Sequence, residues 1–386
     1  MIGLVEFEEA SGSTIFDAAG RSYVDFYLNG CLPLGHSHQV LRTVSSIKHP
    51  LNIGLYKNSW KRQLDEKMAE VFPGYGAFHF SSCGTAANEA LLRFAMAITG
   101  RNSFCGFQGA FHGRSKALTS VSDMEPCNGR RISGYFQLPY PHYNPIFGGY
   151  DSEREVSIND IAVCIDAFGA QNIAGMLIEP ILSKPVIPLP KGWLKALKEQ
   201  VLDPRGILLL ADEFLTAGRV GGWSVALQEE VRPSLISYGK MFVTGMSFAG
   251  IACEEQYIEN AYYVKGNDTY GGQPQVCHNV LLTVEEIESK ALHQRAEMLE
   301  REFIAKIGPS VVRKGVKRVF AKGALWVVEF DDREIASRVA ASTLKQGALT
   351  SVIKRGIRLT PALNIEAQEL SRGLTALDVA IQEVCK

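Results

Sequence analysis

The middle of this chain alternates short, continuously apolar runs with helical patterns, and this alternation constrains the fold more than any other feature. Apolar runs of five or six residues that end at polar residues are typical of strands buried on both faces. Strands of this kind joined by helices form a mostly parallel sheet with helices on both sides, so the sequence predicts an α/β fold. The strand-like runs are residues 76–80, 103–107, 173–178 and 207–211, and helices are predicted over residues 86–98 and 192–202.

The character of the sequence changes after Pro274, which indicates a second domain. At about 150 residues per domain, a chain of 386 residues is expected to form two. Residues 276–307 show one long helical pattern with many charges; strand-like runs follow at 325–330 and 357–360, with a helix between them and another after. The predicted units are an N-terminal segment, 1–47, that packs against the small domain, a large domain, 48–275, and a small α+β domain, 276–386.

The charge balance excludes some classes of protein. Forty basic side chains face forty-one acidic ones, which excludes a strongly basic nucleic-acid binder and a polybasic membrane-surface protein. The apolar stretch 241–253 is too short to span a bilayer, and the first twenty residues lack the pattern of a secretory signal. Eight cysteines without a C-x-x-C spacing indicate neither a disulfide framework nor a zinc module, so we expect free thiols and a cytoplasmic location.

The usual nucleotide and metal motifs are incomplete. No complete G-x-G-x-x-G or P-loop pattern occurs, so nicotinamide and nucleoside triphosphate cofactors are not supported. His36 and His38 have the chemistry of metal ligands, but the sequence places no Cys, Asp or Glu partner beside them. A histidine pair whose hydrogen bonds are satisfied within the fold is the alternative.

Polar residues close three of the predicted strands. Parallel sheets bind ligands beyond the carboxyl ends of their strands, so we expect Ser82, Glu179 and Asp212 at one edge. Residues 82–89 form a small-residue turn that enters a helix, where free N–H groups and the helix dipole favour a phosphate. Ser, Gly and Thr at a helix start are also ordinary capping residues, which is the alternative interpretation.

Three further side chains follow predicted strands in chain order. Phe111 is either an aromatic ring for stacking on a flat cofactor or a core residue. A buried carboxylate at Asp212 needs a cation or a strong donor, such as a protonated ring nitrogen; a salt bridge to Arg219 or a helix cap is the alternative. Lys240 lies among apolar residues and glycines, where lost solvation lowers an amine's pKa and makes it nucleophilic, although a lone lysine is more often a surface charge.

A phosphate turn, an aromatic ring, an acid at a strand end and a lysine, in that order, describe a pyridoxal phosphate site. Over nearly its whole length, the chain resembles the class III aminotransferases, which belong to the fold-type-I pyridoxal phosphate superfamily. Eight segments match that family's motifs in the right order. They are Leu34-Gly-His-Ser-His38, Cys83-Gly-Thr-Ala-Ala-Asn-Glu89, Phe111-His-Gly113, Ile178-Glu-Pro-Ile181, Asp212-Glu-Phe-Leu-Thr216, Gly239-Lys240, Thr269-Tyr-Gly-Gly-Gln-Pro274 and Ile357-Arg-Leu-Thr-Pro361.

The resemblance implies an enzyme that uses pyridoxal 5'-phosphate (PLP) in a homodimer with shared active sites. It implies a mostly parallel seven-stranded sheet between helices in the large domain, plus the smaller α+β domain. The implied reaction is a ping-pong transfer of an amino group from an amino acid or amine donor to an oxo acid or aldehyde acceptor.

The resemblance also assigns roles around the cofactor ring. Lys240 is implied to form an imine with the cofactor and to move the proton of the substrate Cα. Asp212 is implied to keep the pyridine nitrogen protonated, so that the ring withdraws electrons. Phe111 is implied to stack on one face of the ring and Phe214 to lie against the other.

Phosphate and substrate contacts are implied in the same way. Gly84 and Thr85 are implied to bind the phosphate through backbone amides, and Thr269 to reach the phosphate of the neighbouring subunit. Arg358 is implied to pair with the substrate α-carboxylate. The other residues that the resemblance places at the cofactor are Cys83, His112, Glu179 and Leu215.

The chain departs from the family's usual residues at several positions. Cys83 replaces a serine and Ala86 a glutamate, and Leu215 replaces the glutamine that commonly contacts the ring hydroxyl of the cofactor. In Leu215, in Gly239-Lys240 and in Arg219-Val220 the chain resembles the glutamate-1-semialdehyde aminomutase branch. A PLP-dependent aminomutase is therefore an alternative function, and a catalytically silent protein of the same fold is a more remote one.

Lys184 is a departure that bears on the substrate. Ornithine-type members carry an acid at the aligned position, where it shields the substrate arginine; a lysine cannot neutralise Arg358. We therefore expect that this enzyme does not alternate between ω-amines and α-amino acids in the usual way. An anionic substrate group near Lys184 is one interpretation, and a surface lysine in a variable loop is the other. Candidate pocket walls, or alternatively interface packing residues, are Asn29, Tyr56 and Tyr140.

Overall fold

The computed structural model describes residues 5–51, 56, 58–124, 129–259 and 268–386. Its strands are β1 (Phe7–Ser11), β2 (Thr14–Asp17), β3 (Ser22–Asp25), β4 (Tyr75–Ser81), β5 (Ser103–Phe107), β6 (Tyr135–Leu138), β7 (Tyr143–Asn144), β8 (Gly149–Tyr150), β9 (Ile173–Ile178), β10 (Ile181–Leu182), β11 (Ile187–Pro188), β12 (Leu208–Asp212), β13 (Leu235–Tyr238), β14 (Ala249–Glu254), β15 (Val316–Lys322), β16 (Leu325–Phe330), β17 (Ala348–Leu349), β18 (Ser351–Ile353) and β19 (Gly356–Leu359). Its α-helices are Gln39–Ser45, Ser59–Val71, Gly84–Thr99, Lys116–Ser120, Ile158–Phe168, Trp193–Leu197, Val225–Gln228, Pro274–Ser289, Leu292–Ile307, Arg333–Lys345 and Ala367–Val384.

The central sheet has seven strands in the order β4-β14-β13-β12-β9-β5-β6. The strands from β13 to β6 pair in parallel, and β14 runs antiparallel to both of its neighbours. Leu208 and Leu210 face the helix Gly84–Thr99, whereas Leu209 faces the helices Ile158–Phe168 and Trp193–Leu197. The predicted α/β fold with a mostly parallel seven-stranded sheet is therefore confirmed.

The helix Gly84–Thr99 follows directly from its sequence. Ala, Leu and Met residues with high helix propensity fill it, and Ala87, Leu91 and Phe94 are among its buried residues. It ends where Gly100 adopts a left-handed backbone with φ of 69°, a conformation that costs glycine little. The helix begins two residues earlier than predicted, so its first amide groups belong to the small-residue turn after β4.

The long helical pattern after Pro274 is two helices, which corrects the single helix predicted there. Pro274–Ser289 and Leu292–Ile307 are separated by Lys290 and by Ala291, whose φ of 52° is left-handed. Neither a glycine nor a proline marks this break, so the pattern of charged and apolar residues runs through it. The predicted helix over 192–202 also changes form, because the α-helix Trp193–Leu197 continues as a π-helical turn, Lys198–Leu202.

A second sheet, in the order β15-β16-β19-β18, carries the two strand-like runs found near the C-terminus. The N-terminal strands form another sheet in which β3 pairs in parallel with β17. Phe26 and Phe303 pack on Trp326 with ring centroids 6.0 and 4.6 Å apart, so N-terminal and C-terminal residues share one core. The domain limits at 47/48 and 275/276 stay predictions.

Two further properties concern the described ranges as a whole. No helix within them is long and apolar enough to cross a bilayer. Every cysteine they contain is a free thiol.

Candidate active site

The carboxyl ends of adjacent strands bring the predicted residues to one edge of the central sheet. Asp212 is the last residue of β12 and pairs in register with Ser237 on β13, and Lys240 follows β13 by two residues. Glu179 comes directly after β9, the neighbour of β12 on its other side. The acid, the amine and the second carboxyl group thus lie beyond three consecutive strands.

Asp212 is a buried carboxylate with a full set of donors. Its Oδ2 atom accepts hydrogen bonds from His112 Nδ1 at 2.8 Å and Asn88 Nδ2 at 2.7 Å. Its Oδ1 atom accepts from the Phe214 amide at 3.1 Å and the Ser237 hydroxyl at 3.4 Å. Burial raises the pKa of Asp212, but the hydrogen bond and charge of His112 outweigh it and hold the pKa below its ordinary value. Asp212 is therefore ionised at neutral pH.

Arg219 is not the partner of Asp212, which corrects the alternative interpretation of that acid. The guanidinium is buried and donates to the carbonyl oxygens of Gly30 at 2.7 Å and Leu215 at 3.1 Å. Burial lowers the pKa of Arg219 to about 9. Arg219 therefore binds backbone carbonyl groups near Lys240, whereas His112 is the residue that hydrogen-bonds to Asp212.

Lys240 is a half-buried amine beside an aromatic ring. Its Nζ atom lies 5.1 Å from the centroid of Phe214, within cation–π distance. Burial lowers the pKa of Lys240, and the positive charge of Arg358 lowers it further. This environment favours the neutral amine, which is the nucleophilic form.

Phe214 is held between two glycines that lead into the site. A Cβ atom added to Gly239 would lie 2.3 Å from the Phe214 ring, and one added to Gly84 would lie 3.0 Å from it. Both distances are shorter than ordinary van der Waals contact, so only glycine lets the ring approach the backbone at these two positions. The predicted ring, the phosphate turn and the lysine loop therefore contact one another.

The turn after β4 presents the start of a 16-residue helix to the same edge. Cys83 is the N-cap residue, with an extended backbone and no side-chain capping bond, and its side chain is exposed. Gly84 and Thr85 begin the helix and are partly exposed. The first amide groups of an α-helix have no intrahelical acceptor, so this end is suited to a phosphate.

Glu179 ties two loops together on the other side of Asp212. Its Oε2 atom accepts from the Phe111 amide at 2.8 Å, and its Oε1 atom accepts from the Ser183 amide at 3.2 Å. Burial raises the pKa of Glu179 to about 7. Arg358 reaches the same loop, where its Nη1 atom donates to the Ser183 carbonyl at 2.7 Å.

The raised pKa of Glu179 predicts a pH-dependent stability. Between its ordinary pKa of 4.5 and its folded value of about 7, the folded protein binds a proton that the unfolded chain has released. Glu179 thus adds to the free energy of unfolding below its ordinary pKa of 4.5, and this stabilisation is lost as the pH rises through the folded pKa of about 7. The loss is at most about 3 kcal/mol. The melting temperature of the wild type minus that of Glu179→Gln should be larger at about pH 5 than at about pH 8, in both PLP-free and PLP-loaded protein. A difference that stays constant with pH would contradict this.

The structure also places the other residues predicted for the pocket walls and for the neighbouring subunit's phosphate. Tyr140 is a packing residue, because it is buried and its hydroxyl lies 3.2–3.3 Å from the carbonyl oxygens of Glu179, Pro180 and Ile187. Tyr56 is 70% exposed, and Asn29 is exposed with its amide oxygen bonded to the Tyr27 hydroxyl. Thr269 is exposed in the loop before Pro274.

His36 and His38 are satisfied within the fold. His36 Nε2 lies 3.1 Å from an Asp25 oxygen, and His38 caps the helix Gln39–Ser45 and lies 3.4 Å from Glu286. The described ranges contain no group of three side chains that would hold a metal ion.

Sequence reasoning missed two residues at the site: Asn88, which holds the Asp212 carboxylate, and Cys31, which lies near the lysine. Asn88 sits within the quoted turn motif, where a buried amide in an apolar helix face was the available signal. Cys31 lies near Lys240, Arg219 and Arg358, close enough for a thiolate there to raise the pKa of each. No local pattern marks Cys31, because its neighbours in space come from other parts of the chain.

Comparison with known proteins shows the family of the chain. The model of the family Aminotransferase class-III matches residues 2–381, so the chain belongs to the class III aminotransferases. Acetylornithine aminotransferase from Archaeoglobus fulgidus is 28% identical over 382 residues, covering 96% of this chain and 94% of that protein.

Solved structures share the fold. An (S)-enantioselective omega-transaminase from Thermomicrobium roseum superposes with a TM-score of 0.90 at 21% identity, over 99% of this chain and 93% of that one. A PLP-bound amine transaminase from an uncultivated Pseudomonas species gives a TM-score of 0.88 at 22% identity, over 98% and 95% of the two chains. The protein is an aminotransferase of this class, and its cofactor is pyridoxal 5'-phosphate.

The residues present fit that cofactor. A pyridine nitrogen needs an ionised acid, an aldehyde needs an amine of lowered pKa, and a phosphate needs free amide groups; Asp212, Lys240 and the turn at Gly84 provide them. The Nε2 atom of His112 and the Nε atom of Arg358 are buried without a hydrogen-bond partner in the described part of the chain. Buried polar atoms are normally satisfied, so both nitrogens are available to a bound molecule.

Proposed function

We propose that this enzyme moves an amino group between a carboxylate-bearing amino donor and an oxo acid, with Lys240 and Asp212 as its catalytic residues. The observation that supports this most strongly is their placement at the ends of adjacent strands, β13 and β12. A PLP enzyme needs a neutral amine for the aldehyde of the cofactor and an ionised acid for its pyridine nitrogen. The lowered pKa values of Lys240 and Asp212 favour these two forms at one sheet edge. Bound PLP supplies an electron sink that spreads the negative charge left on the substrate Cα.

Lys240 is proposed to act as the base at the substrate. Its neutral Nζ atom takes the proton from the substrate Cα, for which the lowered pKa prepares it. Gly30 lies close to the lysine stem, where an added Cβ would be 3.7 Å from Lys240 Cδ. That distance is ordinary van der Waals contact, so Gly30 forms part of the wall beside the lysine stem.

Asp212 is proposed to hold a proton on the pyridine nitrogen. An ionised carboxylate opposite that nitrogen favours the protonated ring, and His112 and Asn88 keep the carboxylate in place. Phe214 and Phe111 are proposed to bound the ring on its two faces. The amides at Gly84 and Thr85, with the neighbouring Cys83, are proposed to bind the phosphate.

Arg358 is proposed to bind the substrate α-carboxylate. One of its nitrogens is engaged by the Ser183 carbonyl, while Nε has no partner within the described ranges. A guanidinium with free N–H groups binds a carboxylate through two parallel hydrogen bonds. This contact would fix the orientation of the Cα–H bond toward Lys240.

We further propose a homodimer in which Thr269 of one subunit reaches the phosphate site of the other. Thr269 is exposed in this chain, as an interface residue that contacts a second subunit would be. Sedimentation of the PLP-loaded protein should give twice the mass of the 42.4 kDa chain. Sedimentation at the mass of a single chain would remove this part of the proposal.

A half-reaction assay tests the proposed function. PLP-loaded protein is mixed with single amino acids or amines, and the extracted cofactor is analysed for pyridoxamine 5'-phosphate; an oxo acid is then added. Conversion by a donor and reversal by an oxo acid are expected. Turnover of one substrate without any oxo acid would support the aminomutase alternative instead, and protein that takes up no PLP would support a silent one.

A further inference from the structure

Two cationic side chains flank Ser183 on the wall of the site. Arg358 donates to the Ser183 carbonyl at 2.7 Å, and Lys184 is the next residue in the chain. The Lys184 Nζ atom lies 4.9 Å from the centroid of Phe111. Lys184 is half-buried, so it is not the solvated surface lysine of the alternative interpretation.

The acids around Lys184 are already engaged by other groups. Asp123 Oδ2 accepts from Lys354 at 2.8 Å and from the Tyr143 hydroxyl at 3.1 Å. Glu179 accepts two backbone amides, and its pKa of about 7 makes it an incomplete negative charge at neutral pH. Within the described part of the chain, no carboxylate lies within ion-pair distance of Lys184.

Burial, together with nearby positive charges, disfavours the charged form of Lys184. Burial lowers its pKa, and the neighbouring cations Lys354 and Arg114 lower it as well, while Asp123 and Glu179 act in the opposite direction. A half-buried ammonium without an ionic partner is costly, because it has lost water and gained no anion. An anionic group bound beside Lys184 would remove that cost.

We propose that the substrate carries a second anionic group, a carboxylate or a phosphate, which Lys184 binds while Arg358 binds the α-carboxylate. This inference rests on the proposed function for the site, and it names the substrate class. Arg358 contacts the Ser183 carbonyl and Lys184 is the next residue, so both cations belong to the same stretch of the site wall. Amines without any carboxylate, and amino acids with apolar side chains, would leave Lys184 unpaired.

The test compares acceptors that differ in the second anionic group. The PLP-loaded wild type, Lys184→Gln and Lys184→Arg are assayed with 2-oxoglutarate, 3-phosphohydroxypyruvate and pyruvate. The preference for a dianionic acceptor is measured as its kcat/KM divided by that for pyruvate, with the better of the two dianionic acceptors. This ratio should be about tenfold or more lower in Lys184→Gln than in the wild type, mainly because KM for the dianionic acceptor rises. Lys184→Arg should recover most of that ratio because it restores the charge. Lys191→Gln, at an exposed lysine nearby in sequence, is the matched control and should leave the ratio unchanged.

Equilibrium binding separates this inference from the proposed function. Calorimetric titration of the loaded protein with glutarate and with butyrate requires no turnover. Glutarate is expected to bind more tightly than butyrate in the wild type, and to lose about tenfold in affinity in Lys184→Gln.

If transamination is observed but neither the kcat/KM ratio nor glutarate affinity changes in Lys184→Gln, the second anion site is excluded while the enzyme activity stands. If glutarate binding depends on Lys184 in a protein that does not transaminate, the anion site stands and the proposed function fails. The acceptor whose ratio responds identifies the anionic group as carboxylate or phosphate.

Discussion

Replacing Lys240 with alanine is expected to abolish covalent attachment of the cofactor and to lower kcat by about four orders of magnitude or more. The physical reason is that Lys240, an amine of lowered pKa that follows β13, is the proposed attachment point of the cofactor at the edge where Asp212 lies. Borohydride treatment followed by denaturation and mass spectrometry should show a pyridoxyl adduct on the wild type and none on the variant. Activity is measured by the same half-reaction assay.

Two further variants make this result specific to position 240. Lys191→Ala removes an exposed lysine and should keep both the adduct and the activity. Lys240→Arg keeps a positive charge next to Phe214 but offers no neutral amine, so it should fail in the same way as alanine. A borohydride-stable adduct in Lys240→Ala would mean that another residue carries the cofactor.

The buried strands of the central sheet were predictable because the sheet is covered on both faces. Strands β5 and β9 have the bounds that the sequence predicts, Ser103–Phe107 and Ile173–Ile178, since unbroken apolar runs occur where both faces need apolar side chains. The prediction missed strands with a mixed pattern. In β15, Val316–Lys322, three basic residues lie among four apolar ones without regular alternation, and most of the strand is partly exposed, so its sequence does not stand out as a strand.

The break between the helices Pro274–Ser289 and Leu292–Ile307 was hidden for a related reason. Ala291 takes a left-handed backbone because the tertiary structure requires the chain to turn there, although alanine strongly favours helix. Buried residues on both sides continue the amphipathic pattern, with Val280 and Val284 before the break and Leu299 after it. Tertiary packing, which a single sequence does not display, overrides the local preference.

Some features of the candidate site could be predicted from local sequence, whereas others depend on contacts between residues far apart in the chain. Asp212 and Lys240 were found because each ends an apolar strand or follows one, which is a local signal. The hydrogen bonds between His112 and Asp212, and between Arg219 and Gly30, join residues 100 and 189 positions apart, and no spacing rule predicts them. The sequence therefore predicts which groups meet at the sheet edge, whereas the structure supplies the partners that set their protonation.

The substitution Asp212→Asn is expected to lower kcat/KM by about three orders of magnitude or more while the protein remains folded. An asparagine carries no negative charge, so it cannot favour a proton on the pyridine nitrogen. It also turns an NH₂ group toward donors, because Asp212 accepts from His112, Asn88 and the Phe214 amide. At least one of those donors then loses its acceptor, at a cost of about 1–3 kcal/mol each in the free energy of unfolding.

Kinetics and stability must be measured together, because the two effects of Asp212→Asn differ in size. A rate loss of three orders of magnitude corresponds to about 4 kcal/mol in the transition state, which exceeds the expected loss of stability. The melting temperature and the bound PLP of the variant should show a folded, cofactor-containing protein. Asp166→Asn, which removes an exposed carboxylate paired with Arg205, is the matched control and should keep normal kinetics. Kinetics within about tenfold of the wild type in Asp212→Asn would show that the cofactor ring does not depend on this acid, and would move the search to another buried carboxyl group at this edge, Glu179.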